Sequence, residues 1–338
     1  MKNLTLKDIA TALNISVTTV SKALKNYPDV SAKTKERVKA YAKKVNFTPN
    51  AHAAFLRTQE SKLIGVVIPR LNHFFFSNVL RGIMKAAEEK DYMVIVLSSD
   101  ETYELEKKQI NRLLQQNVDG ILLSIADSTH DTKHIDAIIE QKVPLIFFDK
   151  YSKLSNCSSI VINDQKAAFN AVEHLIKQGK KNIAHLRGPF LPQNSIDRFL
   201  GYRKALEHYG LAYKKEWVFT CNQISNEEGY AYTQEIIKKH PEIDAIFAVA
   251  DMPAVGAIKC LNEHNIAIPD QIAVMGFSNW RISNLVTPTL STVNQPGIEM
   301  GEKAFQMFYR EYQLMKKNET VIFEKIEVDT ELIIRQST

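Results

Sequence analysis

Cysteine is scarce in this chain: 338 residues hold three, Cys157, Cys221 and Cys260, an odd number, far apart and never in a CxxC pair. That excludes a disulfide framework and makes a thiolate metal site improbable. It fits a reducing cytoplasm, with burial the ordinary fate of each thiol. Glycine is also sparse, 12 residues with no two in G-x-G spacing, and neither a GxxxxGK[ST] loop nor a GxSxG elbow occurs. The backbone cradles that hold nucleotide phosphates in enzymes are therefore missing, as is the nucleophile turn of the α/β-hydrolases. Neither an enzyme nor a metal or organic cofactor is expected. Apolar runs are short, and none approaches the ~18 residues of a membrane span. The amino-terminal MKNLTLKDIA carries charges where an export signal has its apolar stretch. Cytoplasmic residence with no membrane partner is the expectation.

What charge there is lies unevenly. Residues 1–60 hold 11 Lys and Arg against 4 Asp and Glu, a balance of +7, and the remainder holds 32 against 34, or −2. A local cationic excess of this kind is the footprint of a phosphate-binding surface, so the polyanion-binding part is the amino-terminal sixth.

That sixth contains TLKDIATALNISVTTVSKALKN, residues 5–26. Thr5 three residues before Asp8 is a capping box that starts a helix, and Leu6, Ile9, Ala10 and Leu13 then repeat at helical spacing. Asn14 suits a turn with positive φ. Ser16 is the next N-cap, opening a helix with Val20, Ala23 and Leu24 on one face and Thr18, Thr19, Lys22, Lys25 and Asn26 on the other. A third helix, about 31–45, closes a small core with Val38, Tyr41 and Val45. After Pro49, Asn50 can start a short helix running to Arg57. Helices below roughly 12–15 residues are marginal alone in water, so this one needs a partner.

From Leu63 the chain alternates short apolar runs with amphipathic helices: LIGVVIP, MVIVLS, GILLS, LIFFD and SIVI, then NIAHL, WVFT, AIFAVA and AVMGF. Runs without polar alternation are strands buried on both faces, and the βα repeat makes parallel, doubly wound sheets. Helices are expected over 78–90, 104–116, 165–178 and 195–209. Two sets of such units make two similar lobes, with the chain crossing back near 291–296 and 323–335. Open parallel sheets bind ligands beyond the carboxyl ends of their strands. Asn72, Phe75, Phe76, Asp149, Arg198, Asp251 and Ser278 stand in those loops or on the helices that follow them.

The first sixty residues resemble the DNA-binding headpiece of the LacI/GalR family of bacterial transcription regulators. The core segments GVVIPRLNHFFFSNVLRGI, NDQKAAFNAVEHLIKQG, RFLGYRKAL and MGFSNWRISNLVTPTLSTVNQP are similar to that family's effector-binding core, itself like periplasmic sugar-binding proteins. The resemblance implies an all-α three-helix helix-turn-helix headpiece over 1–46 and a hinge helix and linker over 47–61. An α/β core of two Rossmann-like lobes then fills 62–338, lobe one about 62–161 and 292–322, lobe two about 162–290 and 323–338. It implies a homodimer on double-stranded operator DNA, with a sugar-like effector between the lobes. The DNA-facing set is then Thr5, Ser16, Val17, Thr18, Thr19, Ser21, Lys22, Lys25, Asn26, Asn50 and Leu56. Val17, Thr18 and Lys22 read bases, Ser16, Thr19 and Lys25 position on phosphates, and Leu56 is a minor-groove wedge. In the cleft, Phe75 and Phe76 match an aromatic wall, Asp149 a polar position and Arg198 the arginine that grips ligand hydroxyls or carboxylates. The chain departs from the pattern at Ala250-Asp251, for Asn-Asp, and at Ser278-Asn279, for an Asp pair. The alternative function is a ligand-binding protein of the same core without operator recognition, against which the basic amino-terminal unit argues.

Overall fold

Thr5 opens the first helix, α1 (Leu6–Leu13), through the expected box: its hydroxyl accepts from the Asp8 N–H at 3.3 Å, and the Asp8 carboxylate accepts from the Thr5 N–H at 2.7 Å. Asn14, at φ 52°, ends it in the left-handed region. Ser16 caps α2 (Val17–Leu24) by accepting from the Thr19 N–H at 3.0 Å, and Ser31 caps α3 (Ala32–Lys44) in the same way through Thr34 at 3.2 Å. Ile9, Val20, Ala23 and Val38 are fully buried between the three helices. Ala42, rather than Val45, completes the α3 side of this core. The Arg37 guanidinium donates to the Leu13 carbonyl, tying α3 to the end of α1.

This computed structural model describes residues 4–47, 60–153 and 155–338. Residues 1–61 and 62–338 form two separate compact units. The expected hinge helix, with Asn50 and Leu56, lies outside the described residues.

In the larger unit the strands are β1 (Leu63–Ile68), β2 (Met93–Ser98), β3 (Gly120–Leu123), β4 (Leu145–Phe148), β5 (Ser158–Ile162), β6 (Ile183–Arg187), β7 (Val218–Thr220), β8 (Ala245–Ala248), β9 (Ala273–Met275), β10 (Thr292–Asn294), β11 (Lys325–Val328) and β12 (Glu331–Ile333). A six-stranded parallel sheet runs in the order β11-β5-β4-β3-β1-β2, and a four-stranded parallel sheet in the order β7-β6-β8-β9. Every residue of β3, β4, β5, β6 and β8 is buried, as strands covered on both faces must be.

One assignment of chain to lobe is corrected. Residues 323–338 were expected wholly in the second lobe, yet β11 pairs with β5 and extends the first lobe's sheet. The helix Gly297–Lys316 packs on β3, β4 and β5, so the returning chain meets the open edge of β5 first. Only afterwards does β12 cross over, pairing antiparallel with β10 beside the second lobe's helix Asp164–Lys177.

The helices begin a little earlier than periodicity predicts, and the helix Phe74–Glu88 takes all three phenylalanines into its first turn. It lies against Gly297–Lys316 with almost no clearance. A Cβ on Gly82 would stand 2.0 Å from the Ile298 carbonyl oxygen, and one on Gly301 2.0 Å from that of Val79. Gly301→Ala should therefore cost about 1–3 kcal/mol through overpacking, read as a lower urea midpoint. An unchanged midpoint would show that the two helices separate freely. Among the described residues no helix is long and apolar enough to cross a membrane.

Candidate functional site

Two surfaces carry the candidate residues, and they are taken separately. On the helical unit, Val17 and Thr18 on α2 and Lys25 at its carboxyl-terminal cap are exposed, Val17 at 43 %. An exposed β-branched side chain on a helix with polar neighbours is surface that the fold itself does not use. Lys22 is half-buried and paired with Asp29 from the following loop. Ser16 and Thr19 hydrogen-bond each other at 2.8 Å as part of the cap, and Thr5 serves the cap of α1. Asn26, in the left-handed region at φ 61°, accepts from the Lys39 ammonium at 2.5 Å. The half-buried Ser21 sits on α2 between the exposed and buried faces.

On the larger unit, loops beyond the carboxyl ends of the strands enclose a cleft of about 400 Å³. Asn72, Phe75, Phe76, Asp149, Arg198 and Ser278 all line it, and the sequence had placed each of them there. Arg198 comes from the helix Gln193–His208. Its Nε donates to Asp164 at 2.7 Å, its Nη1 donates to the Val249 carbonyl at 2.9 Å, and its plane lies 3.8 Å over the Phe277 ring. Nη2 has no partner among the described residues. Burial raises the pKa of Asp164, and Arg198 opposes that shift.

Asp149 ends β4 at φ 60° and is 8 % exposed. Its carboxylate receives no hydrogen bond from the described residues. Burial pushes its pKa up to about 7, against the pull of Lys150 and Arg198. Next to it the Lys150 ammonium donates to both Glu101 oxygens, at 3.0 and 2.9 Å, and to Asp127 at 2.5 Å. The Asp127 N–H closes the group by donating to Glu101 at 2.8 Å. Burial works against the charge of Lys150, but the two carboxylates outweigh it and hold its pKa above the ordinary lysine range.

The aromatic wall spans both lobes. His73, from the loop after β1, meets Trp280, from the loop after β9, with ring centres 4.2 Å apart and planes at 82°. Burial drives the pKa of His73 down to about 3, so this ring is neutral at physiological pH. Ser278 donates to the Gln295 side-chain oxygen at 2.6 Å. That leaves Gln295 Nε2, like Trp280 Nε1, buried without a partner among the described residues.

Asp251 is a correction: it does not line the cleft. It is wholly buried and accepts from Thr292 Oγ1 and from the Trp280 N–H, each at 2.6 Å. Burial lifts its pKa to about 7 against those bonds. A Cβ on Gly276 would stand 2.4 Å from its Oδ1, so this glycine makes room for the carboxylate. Asp251 thus fastens the loop that carries Ser278 and Trp280.

Sequence reasoning missed Glu101, Asp127, Gln295 and the 222–226 loop as lining residues. Glu101 and Asp127 follow β2 and β3, so the strand-end rule that found Asp149 could have found them. The 222–226 loop follows β7 in the same way.

Comparison with known proteins matches residues 61–333 to the periplasmic binding proteins and sugar binding domain of LacI family, and residues 5–50 to the bacterial regulatory proteins of the lacI family. The chain is 30% identical over 334 residues to the NTD biosynthesis operon regulator NtdR of Bacillus subtilis, covering 99% of each. It is 29% identical over 334 residues to the ribose operon repressor of Halalkalibacterium halodurans, covering 99% of this chain and 97% of that one. Among solved structures, the Lac repressor bound to ONPG in the repressed state superposes with a TM-score of 0.87 at 25% identity, over 100% of both chains.

Proposed function

The chain belongs to the LacI family of bacterial regulatory proteins, DNA-binding transcription regulators with an effector-binding core, and from that premise we propose how its residues divide the work. Val17, Thr18 and Lys22 read base edges in the major groove of operator DNA, Val17 against a thymine methyl and Lys22 against guanine. Ser16, Thr19 and Lys25 hold the headpiece on phosphates. Two copies bind as a dimer, with Leu56 of each wedged into the minor groove. In the cleft, Arg198 and Asp149 hold a small sugar-like effector against Phe76 and Trp280. The protein acts where its DNA lies, in the cytoplasm, and its cleft binds a ligand without turning it over. Two of the relatives above are a ribose operon repressor and a repressor bound to ONPG, which supports a sugar or sugar derivative.

The observation that carries this reading is the cleft itself. It sets charged and amide groups with spare hydrogen-bonding capacity beside aromatic faces, the chemistry that a polyhydroxy ligand with apolar ring faces satisfies. Such a ligand acts on DNA binding through its differential affinity for two arrangements of the lobes, typically about 1–3 kcal/mol of coupling.

Lys22 gives the test on the DNA side. Its pairing with Asp29 is at the surface, where solvent screens such pairs, so exchanging Asp29 for a base costs little. Lys22→Ala should lose about 1–3 kcal/mol on the preferred site and relax selection at one base pair, measured by fluorescence anisotropy. Equal loss on random duplex would make Lys22 a phosphate contact instead.

A further inference from the structure

Of the carboxylates that line the cleft, Asp149 alone has no cation of its own among the described residues. Lys150 stands next to it in sequence but gives its ammonium to Glu101 and Asp127. Arg198 acts on Asp149 through space, yet its Nε is spent on Asp164. Arg70, the remaining cation of the lining, is half-buried and acts on His73, and it is not among the charges that act on Asp149. The wall formed by Glu101, Asp127, Asp149 and Lys150 therefore sets three carboxylates against one ammonium, and Asp149 is the one to which that ammonium makes no hydrogen bond. Burial holds the pKa of Asp149 at about 7, so the group stands between its neutral and ionised forms; hydroxyl groups can bond either form, and only a cation favours the ionised one. An anionic ligand would meet the carboxylates of this wall. A charge-assisted bond from an ammonium to a buried carboxylate is shorter and roughly twice as strong as a neutral one. The aromatic rings that line the same cleft also favour a cation.

We infer that the effector carries a protonated amine that pairs with Asp149, so that the ligand class is an amino sugar rather than a neutral sugar. This rests on the reading of the cleft as a sugar-like effector site and narrows it. The neutral His73, part of the same wall, adds no competing charge near the incoming amine.

The test is calorimetric titration of the full-length chain with matched ligands. D-glucosamine, D-galactosamine, D-mannosamine and 3-amino-3-deoxy-D-glucose are each compared with the parent sugar and the N-acetyl derivative. At least one amine should bind about tenfold or more tighter than both of its neutral counterparts, the ratio expected when a charged hydrogen bond replaces a neutral one. In Asp149→Asn, a substitution that tolerates the left-handed backbone, that preference should collapse to within about threefold. The wild-type comparison stands alone if the variant fails to fold, because N-acetylation removes the charge from the ligand side. Neutral sugars binding as tightly as their amines would overturn the amine assignment and leave the sugar-effector reading intact. A preference that survives Asp149→Asn would also overturn it. If no sugar, amine or neutral, binds at all, the sugar-effector reading fails and the amine assignment with it.

Discussion

Arg198→Ala should abolish the effect of ligand on operator binding and lower the stability of the larger unit by about 3–5 kcal/mol, the usual cost of stranding one member of a buried ion pair. Both results follow from the same geometry. The guanidinium is fixed by Asp164 and the Val249 carbonyl and rests on Phe277, so its remaining Nη2 edge is the part it can offer the ligand. Without it, Asp164 is left buried without its ion-pair partner, and burial already raises its pKa. Urea unfolding and anisotropy separate the two roles when a second protein is added. Arg198→Met combined with Asp164→Asn leaves neither charge buried, so most of the stability should return while the response to ligand stays lost. A single variant as stable as wild type would mean that the pair is not buried in solution. A response at the unchanged ligand concentration would place the ligand elsewhere.

Three buried carboxyls, Glu311 among them, should cost the larger unit stability as pH rises from 5 to 8, against the opposite contribution of His73, whose lowered pKa favours the folded state as pH rises through 6.5. Asp149, Asp251 and Glu311 are buried carboxyls with pKa values pushed up to about 7 by burial. Unfolded, such groups titrate near 4. A carboxyl whose folded pKa exceeds its unfolded one holds more protons folded than unfolded in the window between. Its contribution is therefore fully present below about pH 4 and is lost as pH rises through 7. For Glu311 the opposing influences are Ser158, which donates to it, and Arg310, while Glu324 adds to the rise. Glu311→Gln keeps an oxygen for the Ser158 hydroxyl and removes the titration. It should be neutral at pH 5 and stabilising by roughly 2 kcal/mol at pH 8, with the gain in denaturant midpoint growing between those limits. A gain that is the same at both values would show that Glu311 does not titrate in that window.

The parts of the fold that were legible are those whose causes are local or strongly patterned. Thr5 with Asp8, Asn14 and Ser16 each act within four residues of themselves, so α1, its turn and the start of α2 could be read directly. Strands buried on both faces announce themselves as unbroken apolar runs. Asp149 and Arg198 were found because the fold delivers strand-end loops to one cleft whatever their details. Asp251 shows the limit of that rule: a carboxylate after a strand can turn toward the cavity or toward its own loop. Thr292, 41 residues away, provides one of the bonds that turn it inward. The Glu101-Lys150-Asp127 group depends on residues 49 and 23 positions apart meeting around one ammonium, a match that no local pattern records. The lobe to which β11 belongs was hidden for a related reason. It is decided by which sheet edge the chain reaches after Gly297–Lys316, and not by the strand's own sequence.

The account stands most directly on whether this chain reads a DNA sequence, and selection of binding sites from a pool of random duplexes by the full-length protein measures that. The predicted result is enrichment of one two-fold symmetric site, with half-sites spaced by about one helical turn of roughly 10 base pairs. That enrichment should weaken at a defined base pair in each half-site when Lys22 is replaced by alanine. Salt-sensitive binding with no enriched sequence would contradict the account, because the helical unit would then be a polyanion-binding surface and α2 would read no bases.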